Sequence, residues 1–355
     1  MRWRNRLEPT ALAAQSLAHP PEGFGWLEGL PVPAFAAPFD LLTTADEGLK
    51  ARLRSWPLYG VWSRWLRIRA AFVGTTVTEY APLPEDHAAA ALATAVREGP
   101  GRRFALAIIK DIPQESPLLS REDNAYAQAL AEACARQGFV LLEGQALAYV
   151  PIDFGSLDEY LARLSSSRRS NLRRKLRSRP LLRIECIPTG AAFADDARVD
   201  AFYALYAQVH AQSDVHFDRQ TRSFFADVLR DGSSGGLVFE YRHAETDGLV
   251  GWNLCYEYDG RLVDKYIGLS YPAAREVNLY FVSWMVNLEY ALERGLSAYV
   301  AGWTDPEVKR SLGARFTWTG HAVHVRHPLL RALARRFAGR FESDRRWQDD
   351  VDGAA

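Results

Sequence analysis

The order of hydrophobic patterns in the second half of the chain constrains its fold most. Strand-like text comes first, in three segments within residues 236–271: GLVFEYR, GLVGWNLCYEY and RLVDKYIGLSY. The Asp259-Gly260 pair between the last two is typical of a two-residue hairpin turn. A helical stripe of apolar residues follows over about 276–294, with Gly295 as its natural C-cap. A strand, a short helix and a further strand come next, so the sequence predicts an α/β (α+β) fold.

Strand-like and helical segments also alternate in the first half, between about residues 58 and 152. A chain of 355 residues is long enough for two domains. We therefore predict two successive α/β units joined by a basic helix. The predicted segments are an N-terminal extension (1–54), a first unit (55–155), a basic linker helix (156–180), a second unit (181–341) and a polar tail (342–355).

Charge and motif content exclude several classes of function. The 43 Lys and Arg residues balance the 43 Asp and Glu residues, so any anion-binding role must rest on a local patch. The sequence has no GxGxxG after a strand, no GxxxxGK followed by Ser or Thr, no HExxH and no GxSxG. Dehydrogenase, NTPase, zinc-protease and α/β-hydrolase activities therefore lose their usual support.

Cysteine usage and hydropathy predict a cytoplasmic protein. The three cysteines lie far apart in sequence, which fits isolated thiols in a reducing compartment. The N-terminal residues lack the apolar core of a signal peptide, and no apolar run reaches the ~20 residues needed to span a bilayer. His321, His324 and His327 recur every third residue, but His324 points away from the other two on the strand predicted there. We therefore expect neither a transmembrane segment nor a metal site.

A basic run is the strongest local signal. Nine Lys and Arg residues and no acidic residue lie between residues 160 and 184. Such charges repel one another unless an anion or solvent screens them. Two interpretations stay open: a contact to the phosphates of a coenzyme, tRNA, phospholipid or nucleotide-linked substrate, or a solvated linker helix. We take Arg168, Arg169 and Arg173 as candidate substrate-binding residues, and the 163–183 patch as a candidate contact for tRNA or anionic lipid.

Four stretches in order carry a family resemblance over about residues 156–327. They are SLDEYLARLSSSRRSNLRRKLR, GLVGWNLCYEYDGRLVDKYIGLSY, NLYFVSWMVNLEYALERGL and DPEVKRSLGARF. Together they resemble the GNAT N-acyltransferase superfamily, most closely the tandem-GNAT proteins of the CelD/BioF-like and Fem-like group. The resemblance implies the acyl-CoA N-acyltransferase fold, with two GNAT-like mixed-sheet units packed in tandem and a degenerate first unit. It also implies an enzyme that moves an acyl group from an activated donor to an amine.

The strand RLVDKYIGLSY supplies the candidate catalytic residues. Strict alternation puts Asp264, Tyr266 and Gly268 on one face, towards the cleft where two strands of GNAT enzymes separate around the acyl group. Lys265 then points the other way, and we interpret it as a surface charge. Asp264, or Glu257 on the preceding strand, would accept a proton from the amine, and Tyr266 would return one to the leaving group. Main-chain amides over Ile267, Gly268 and Leu269 would polarise the acyl carbonyl.

The donor is left open by two departures from the family pattern. The turn PAAREVN at 272–278 has no glycine, so Arg275, Asn278 and the helix N-terminus would have to hold the phosphates of a coenzyme. The long coiled-coil insertion of Fem transferases that use aminoacyl-tRNA has no counterpart either. We expect no permanently bound cofactor, with acyl-CoA as the co-substrate.

The acceptor side rests on three further candidates. Lys309 in DPEVKRSLG fits the neutralisation of a substrate phosphate or carboxylate, Trp303 fits a pocket wall, and His216 lies in a polar loop between two helices. The expected acceptor is a small-molecule or peptidoglycan-precursor-like amine. Two alternatives stay open: an aminoacyl-tRNA-dependent Fem-like transferase of cell-envelope or peptide biosynthesis, and a non-catalytic GNAT-like module that binds polyanions.

Overall fold

The structure is a computed structural model, and it describes residues 2–42, 47–213 and 217–337. The chain forms two compact units. Of the described residues, 2–6, 22–42, 47–146 and 317–337 belong to the first unit, and 7–21, 147–213 and 217–316 to the second. Within the described residues, no helix is both long and apolar enough to cross a membrane.

Helices and strands are numbered along the chain. The strands are β1 Trp3–Arg4, β2 Gly25–Trp26, β3 Ala34–Asp40, β4 Arg67–Val73, β5 Leu83–Pro84, β6 Leu106–Gln114, β7 Val140–Pro151, β8 Leu182–Pro188, β9 Gly236–His243, β10 Leu249–Tyr258, β11 Arg261–Leu269, β12 Ala298–Gly302 and β13 Arg315–Val325. The helices are α1 Thr10–Ala18, α2 Glu47–Arg54, α3 Tyr59–Trp62, α4 Ala89–Glu98, α5 Pro100–Arg103, α6 Arg121–Arg136, α7 Leu157–Ala162, α8 Ser166–Leu176, α9 Asp196–Gln212, α10 Arg222–Arg230, α11 Ala273–Glu276, α12 Leu279–Glu293, α13 Pro306–Ser311 and α14 Pro328–Phe337.

The first unit is a mixed sheet with helices packed on it. Its strands follow the order β2-β3-β4-β6-β13, and β4 runs parallel to β6 while the other neighbours are antiparallel. Stacked Phe35 and Phe72, with ring centroids 5.2 Å apart, lie in its core. Helix α6 begins after a serine cap, since the Ser120 hydroxyl accepts the Asp123 amide at 3.0 Å.

The second unit is a mixed sheet that follows the order β12-β11-β10-β9-β8, with residues 148–151 of β7 paired to β12. The β10–β11 hairpin turns at Asp259 and Gly260, both with positive φ, as the sequence predicted. Helix α12 buries Trp284, Met285 and Leu288 in the core of this unit, so the predicted stripe is confirmed. The helix begins at Leu279 rather than about 276, because Asn278 has a left-handed backbone that interrupts it.

The predicted basic linker helix over 156–180 is wrong as a single helix. Two helices, α7 and α8, occupy this stretch, and both belong to the second unit. Each has its own serine cap: Ser156 accepts the Glu159 amide at 3.1 Å, and Ser165 accepts the Arg168 amide at 3.5 Å. The second cap interrupts the helix because a serine at that position satisfies the amides of a new first turn.

The unit boundaries also differ from the predicted segments. Residues 7–21 of the predicted extension pack in the second unit, where Gln15 of α1 donates to Asp231 at 3.0 Å. Strand β3 of the same extension belongs to the first unit's sheet. Residues 317–325 return to the first unit because β13 pairs with β6. The predicted tail, 342–355, lies outside the described residues.

A close approach of two strands generates the first testable prediction. A Cβ on Gly268 of β11 would overlap the indole of Trp252, which is fully buried on β10. We expect Gly268→Ala to lower the free energy of unfolding by about 2–3 kcal/mol, because a buried indole has no room to retreat. Urea denaturation measures it, and Gly248→Ala is the control. A Cβ on exposed Gly248 meets only Thr246, at 3.4 Å, so that change stays within about 0.5 kcal/mol. Equal midpoints for the two variants would contradict the prediction.

Candidate functional site

Strands β11 and β12 of the second unit pair in parallel over a short stretch only. Three register pairs join Arg261–Val263 to Ala298–Val300, and β11 then runs on to Leu269 without a further pair to β12. The pairing of β11 with β12 therefore ends just before Asp264. Main-chain groups of the strand edge beyond this point are not used in pairing with β12, which is the arrangement that a carbonyl-binding cleft needs.

The carboxylate of Asp264 lies at the start of this gap, within a ring of donors. Tyr299 of β12 donates its hydroxyl at 2.9 Å, and Asn287 of α12 donates its amide at 3.1 Å, both to Oδ2. Asn253 of β10 approaches Oδ1 at 3.5 Å. Donors from a strand, a helix and a second strand thus fix the orientation of one carboxylate.

Buried polar side chains support this ring from behind. Asn253 and Asn287 have no exposed surface, and Asn253 donates to Asn287 at 3.2 Å and lies 3.1 Å from the Cys255 sulfur. The hydroxyl of Tyr241 donates to the Asn253 oxygen at 2.9 Å. Burial raises the pKa of Tyr299, Tyr241 and Cys255 well above their ordinary values, so these groups stay protonated at neutral pH.

The charge state of Asp264 is set by burial against its neighbours. Burial raises the pKa of Asp264 to about 6, while the Tyr299 hydrogen bond and the positive charge of Lys309 act in the opposite direction. Lys309 lies on α13 and is itself only 4% exposed. The sequence named Asp264 and Lys309 as separate candidates, and the structure brings them into electrostatic reach of each other.

Tyr266 does not share the face of Asp264. The β10–β11 register pairs Cys255 with Asp264 and Leu254 with Tyr266, so Lys265 is an extra residue in a β-bulge. The bulge turns Tyr266 to the α9–α10 side, where its ring packs edge-on against Phe225 at 5.1 Å. The prediction that Asp264 and Tyr266 lie on one face is wrong, because strict alternation does not survive a bulge.

Lys265 is not the surface charge that the sequence suggested. Its ammonium group pairs with Glu8 at 2.9 Å, and both side chains are buried. Glu8 comes from the N-terminal segment that packs in the second unit. Nothing local in the sequence marks this pair, since its members lie 257 positions apart.

Glu257, the other predicted base, has the opposite electrostatics. It accepts from Tyr290 at 2.8 Å and pairs with Arg294 at 3.1 Å. The Arg294 hydrogen bond is the main reason that the pKa of Glu257 is lowered, despite some burial. A lowered pKa makes Glu257 a weaker proton acceptor than Asp264.

The remaining donor-side candidates lie on β11 and on the turn after it. Ile267 packs against the α12 core, Gly268 faces Trp252, and Leu269 is buried. Arg275 of α11 lies over the Tyr271 ring, 4.9 Å from its centroid, and donates to Gln212 at 2.7 Å. Asn278 precedes α12 in a left-handed conformation, without capping it through its side chain.

Of the acceptor-side candidates, Trp303 is half-buried, directly after Gly302 at the end of β12. Lys309 is close enough to Gly302 that a Cβ on this glycine would lie 3.9 Å from the ammonium nitrogen. Trp303 and Lys309 therefore lie on the segment that leaves the gap. His216 lies outside the described residues.

The basic run is partly neutralised in the fold. Acidic side chains from other segments pair with four of its arginines, Arg163, Arg173, Arg179 and Arg183. Arg173 is one of the predicted substrate contacts, and Asp158 lies 3.7 Å from it. Arg168 is exposed on α8 and Arg169 is half-buried, and neither has an acidic partner among the described residues. Arg169 donates to the carbonyl of Ala162 at 3.2 Å.

Comparisons with known proteins concern the fold of the chain and the class of its second unit. A family model described as "Acetyltransferase (GNAT) domain" matches residues 166–310, which include β11, α12 and most of α13. A comparison with curated proteins finds no match.

Solved structures with a similar fold span nearly the whole chain. They include the C-terminal domain of a proposed lysylphosphatidylglycerol synthetase from Agrobacterium fabrum, 13% identical, covering 92% of this chain and 90% of that chain, with a TM-score of 0.54. L-PGS from Bacillus licheniformis is 11% identical, and the match covers 96% of this chain and 99% of that chain, with a TM-score of 0.51. FemX is 12% identical, and the match covers 93% of this chain and 99% of that chain, with a TM-score of 0.51.

Residues 166–310 therefore match a GNAT acetyltransferase domain, and the fold of the chain is similar to that of FemX. The resemblance seen in the sequence and the predicted α/β fold class are confirmed.

The Asp264–Lys309 arrangement leads to a second prediction. We expect Lys309→Met to raise the pKa of Asp264 above about 6, because the positive charge that favours the carboxylate is lost. Carboxyl ¹³C shifts of Asp-labelled protein, titrated from acid to neutral pH, measure it, and Asp264→Asn assigns the signal. Lys309→Arg keeps the charge and should leave the pKa near 6. An unchanged midpoint in Lys309→Met would mean that the ammonium group does not act on Asp264.

Proposed function

We propose that the second unit is an N-acyltransferase that moves an acyl group from an activated donor, acyl-CoA in the first instance, to an amine. The observation that carries this proposal is the position of the Asp264 carboxylate where β11 and β12 stop pairing. A carboxylate at the end of the parallel pairing meets an acceptor at the point where main-chain amides are turned towards the gap.

Asp264 is the proton acceptor in the proposed reaction. The amine nitrogen attacks the acyl carbonyl, the bond from the carbonyl carbon to the donor's sulfur or oxygen breaks, and the ammonium proton passes to Asp264. With a pKa of about 6, this carboxyl group is mostly ionised at pH 7 and has a higher proton affinity than an exposed carboxylate. The lowered pKa of Glu257 makes it the poorer alternative.

The bulge at Lys265 favours a division of labour between the two faces of β11. A gap between strands can be reached from both faces of a sheet. The acceptor amine would arrive on the Asp264 face, because Asp264 takes its proton. The leaving group would then depart on the Tyr266 face, where the phenol is the candidate proton donor. Main-chain amides over Ile267–Leu269 would hold the carbonyl oxygen between the two.

The exposed arginines of α8 support a polyanionic donor. Arg168, which is exposed, and Arg169, which is half-buried, offer guanidinium groups to phosphates, and Arg275 and Asn278 precede α12 in the same unit. Acyl-CoA would bring the phosphates for such contacts together with the activated acyl group. Aminoacyl-tRNA is the second candidate donor, and it is favoured by the fold shared with FemX and with a protein named as a lysylphosphatidylglycerol synthetase. The expected acceptor is a small-molecule or peptidoglycan-precursor-like amine.

A pH profile tests the role of Asp264. Below its pKa the carboxyl group is protonated and cannot take a proton, so kcat/KM should fall on the acid side with an apparent pKa near 6. Asp264→Asn should lower kcat/KM by about 10²–10⁴-fold and abolish that acid limb. Glu257→Gln is the control and should keep the limb. Full activity in Asp264→Asn, or an acid limb that moves only in Glu257→Gln, would assign the base elsewhere.

Donor binding is tested separately by thermal shift. Acetyl-CoA and longer acyl-CoAs should raise the melting temperature saturably, and the shift should persist at about 0.5 M salt because a built site is screened little. Arg168→Gln with Arg169→Gln should raise the KM for the donor. Arg183→Gln is the matched control, since that arginine already pairs with Glu185 and Asp247.

Two outcomes would redirect the donor assignment. Transfer from aminoacyl-tRNA with no acyl-CoA shift would select the second donor. Binding of any polyanion that fades steeply with salt, without turnover of either donor, would leave a non-catalytic module.

A further inference from the structure

The last described helix, α14, turns its leucines outward. Leu329, Leu330 and Leu333 are 74%, 56% and 52% exposed. Positions i, i+1 and i+4 share one side of a helix, so the three side chains form a single apolar surface, which we call the leucine face. A single exposed leucine is ordinary, but a contiguous set on one helix face marks a contact surface.

Arginines hold the opposite side of α14 to the first unit. Arg331 donates to the carbonyl of Val325 at 2.8 Å, and Arg335 donates to the carbonyl of Gly138 at 3.1 Å. A surface helix normally buries its apolar side and exposes its charges. In α14 the leucines are exposed along with the charges, so the first unit's own core does not cover the leucine face.

Exposed arginines lie on α14 and near its start. Arg336 is exposed on α14, and Arg326 just before the helix donates to the carbonyls of Arg102 and Arg103, at 3.3 Å each. The side chains of these last two arginines are exposed as well. Glu98 pairs with Arg102 and offsets some of this charge, and the excess remains positive.

We propose that α14 docks this protein on an anionic membrane surface. The leucine face would enter the boundary between headgroups and acyl chains, and the nearby arginines would contact lipid phosphates. A nucleic acid would match the arginines but offers no apolar partner to the leucines. This inference goes beyond the acyl-transfer reaction and does not depend on Asp264.

Vesicle sedimentation of the full chain tests the proposal. We expect binding to vesicles of about 30% phosphatidylglycerol in phosphatidylcholine, and much weaker binding to phosphatidylcholine alone. The triple variant Leu329→Ser/Leu330→Ser/Leu333→Ser should weaken the binding at least about tenfold, with an unchanged melting temperature because the leucines are exposed. Leu181→Ser, which removes a leucine that is 46% exposed in the second unit, is the control. Undiminished binding of the triple variant would overturn the proposal.

A fluorescent label separates the membrane from other occupants of the leucine face. Leu333→Cys is labelled with an environment-sensitive dye in a Cys186→Ser background, since Cys186 is the exposed native cysteine and Cys134 and Cys255 are buried. The emission should shift to the blue only when anionic vesicles are added. A blue-shifted label without vesicles would mean that residues 338–355 or a second copy cover the face, and size-exclusion chromatography distinguishes these two. Either result would overturn membrane docking. Acyl transfer to a soluble amine should be unchanged in the triple variant, so the two proposals fail independently.

Discussion

The early end of the β11–β12 pairing is the constraint on which the rest of the site depends. Had the strands paired along their full length, Asp264 would lie in a closed sheet with no access for an acyl group. Three register pairs hold the two strands together up to Val263 and Val300, and this is enough to fix Tyr299 opposite the Asp264 carboxylate. The same short pairing therefore positions the carboxylate and releases the strand edge beside it.

Keeping Asp264 inside the unit has an energetic cost that the folded state retains. Its pKa rises from 3.8 to about 6, and each unit corresponds to 1.36 kcal/mol, so the ionised form is disfavoured by about 3 kcal/mol relative to the unfolded chain. Because the pKa of Asp264 is raised on folding, the cost of ionising it destabilises the fold above pH 6. This cost disappears below about pH 4, where the carboxyl group is protonated in both states. A site selected for stability alone would replace the carboxyl group by a neutral one, and such costs are typical of functional sites.

Local periodicity predicted the elements of the site that depend on neighbours in sequence. The α12 stripe, the Asp259-Gly260 turn and the inward position of Asp264 all follow from spacing over a few residues. The face of Tyr266 did not, because one extra residue in a strand reverses the alternation after it. The Glu8–Lys265 pair and the return of β13 to the first unit join distant segments, and no local pattern encodes such contacts.

The zero net charge of the chain conceals two positive regions that differ in physical character. The arginines of α8 have only one buried leucine among them, Leu172, so the share of donor binding that they supply would be held by charge and would weaken as salt increases, unlike contacts inside the unit. Exposed leucines accompany the charges of α14, so a partner there would also gain from apolar burial, which salt does not screen. Ionic strength therefore distinguishes the two surfaces, since raised salt weakens a contact on α8 more steeply than one on α14.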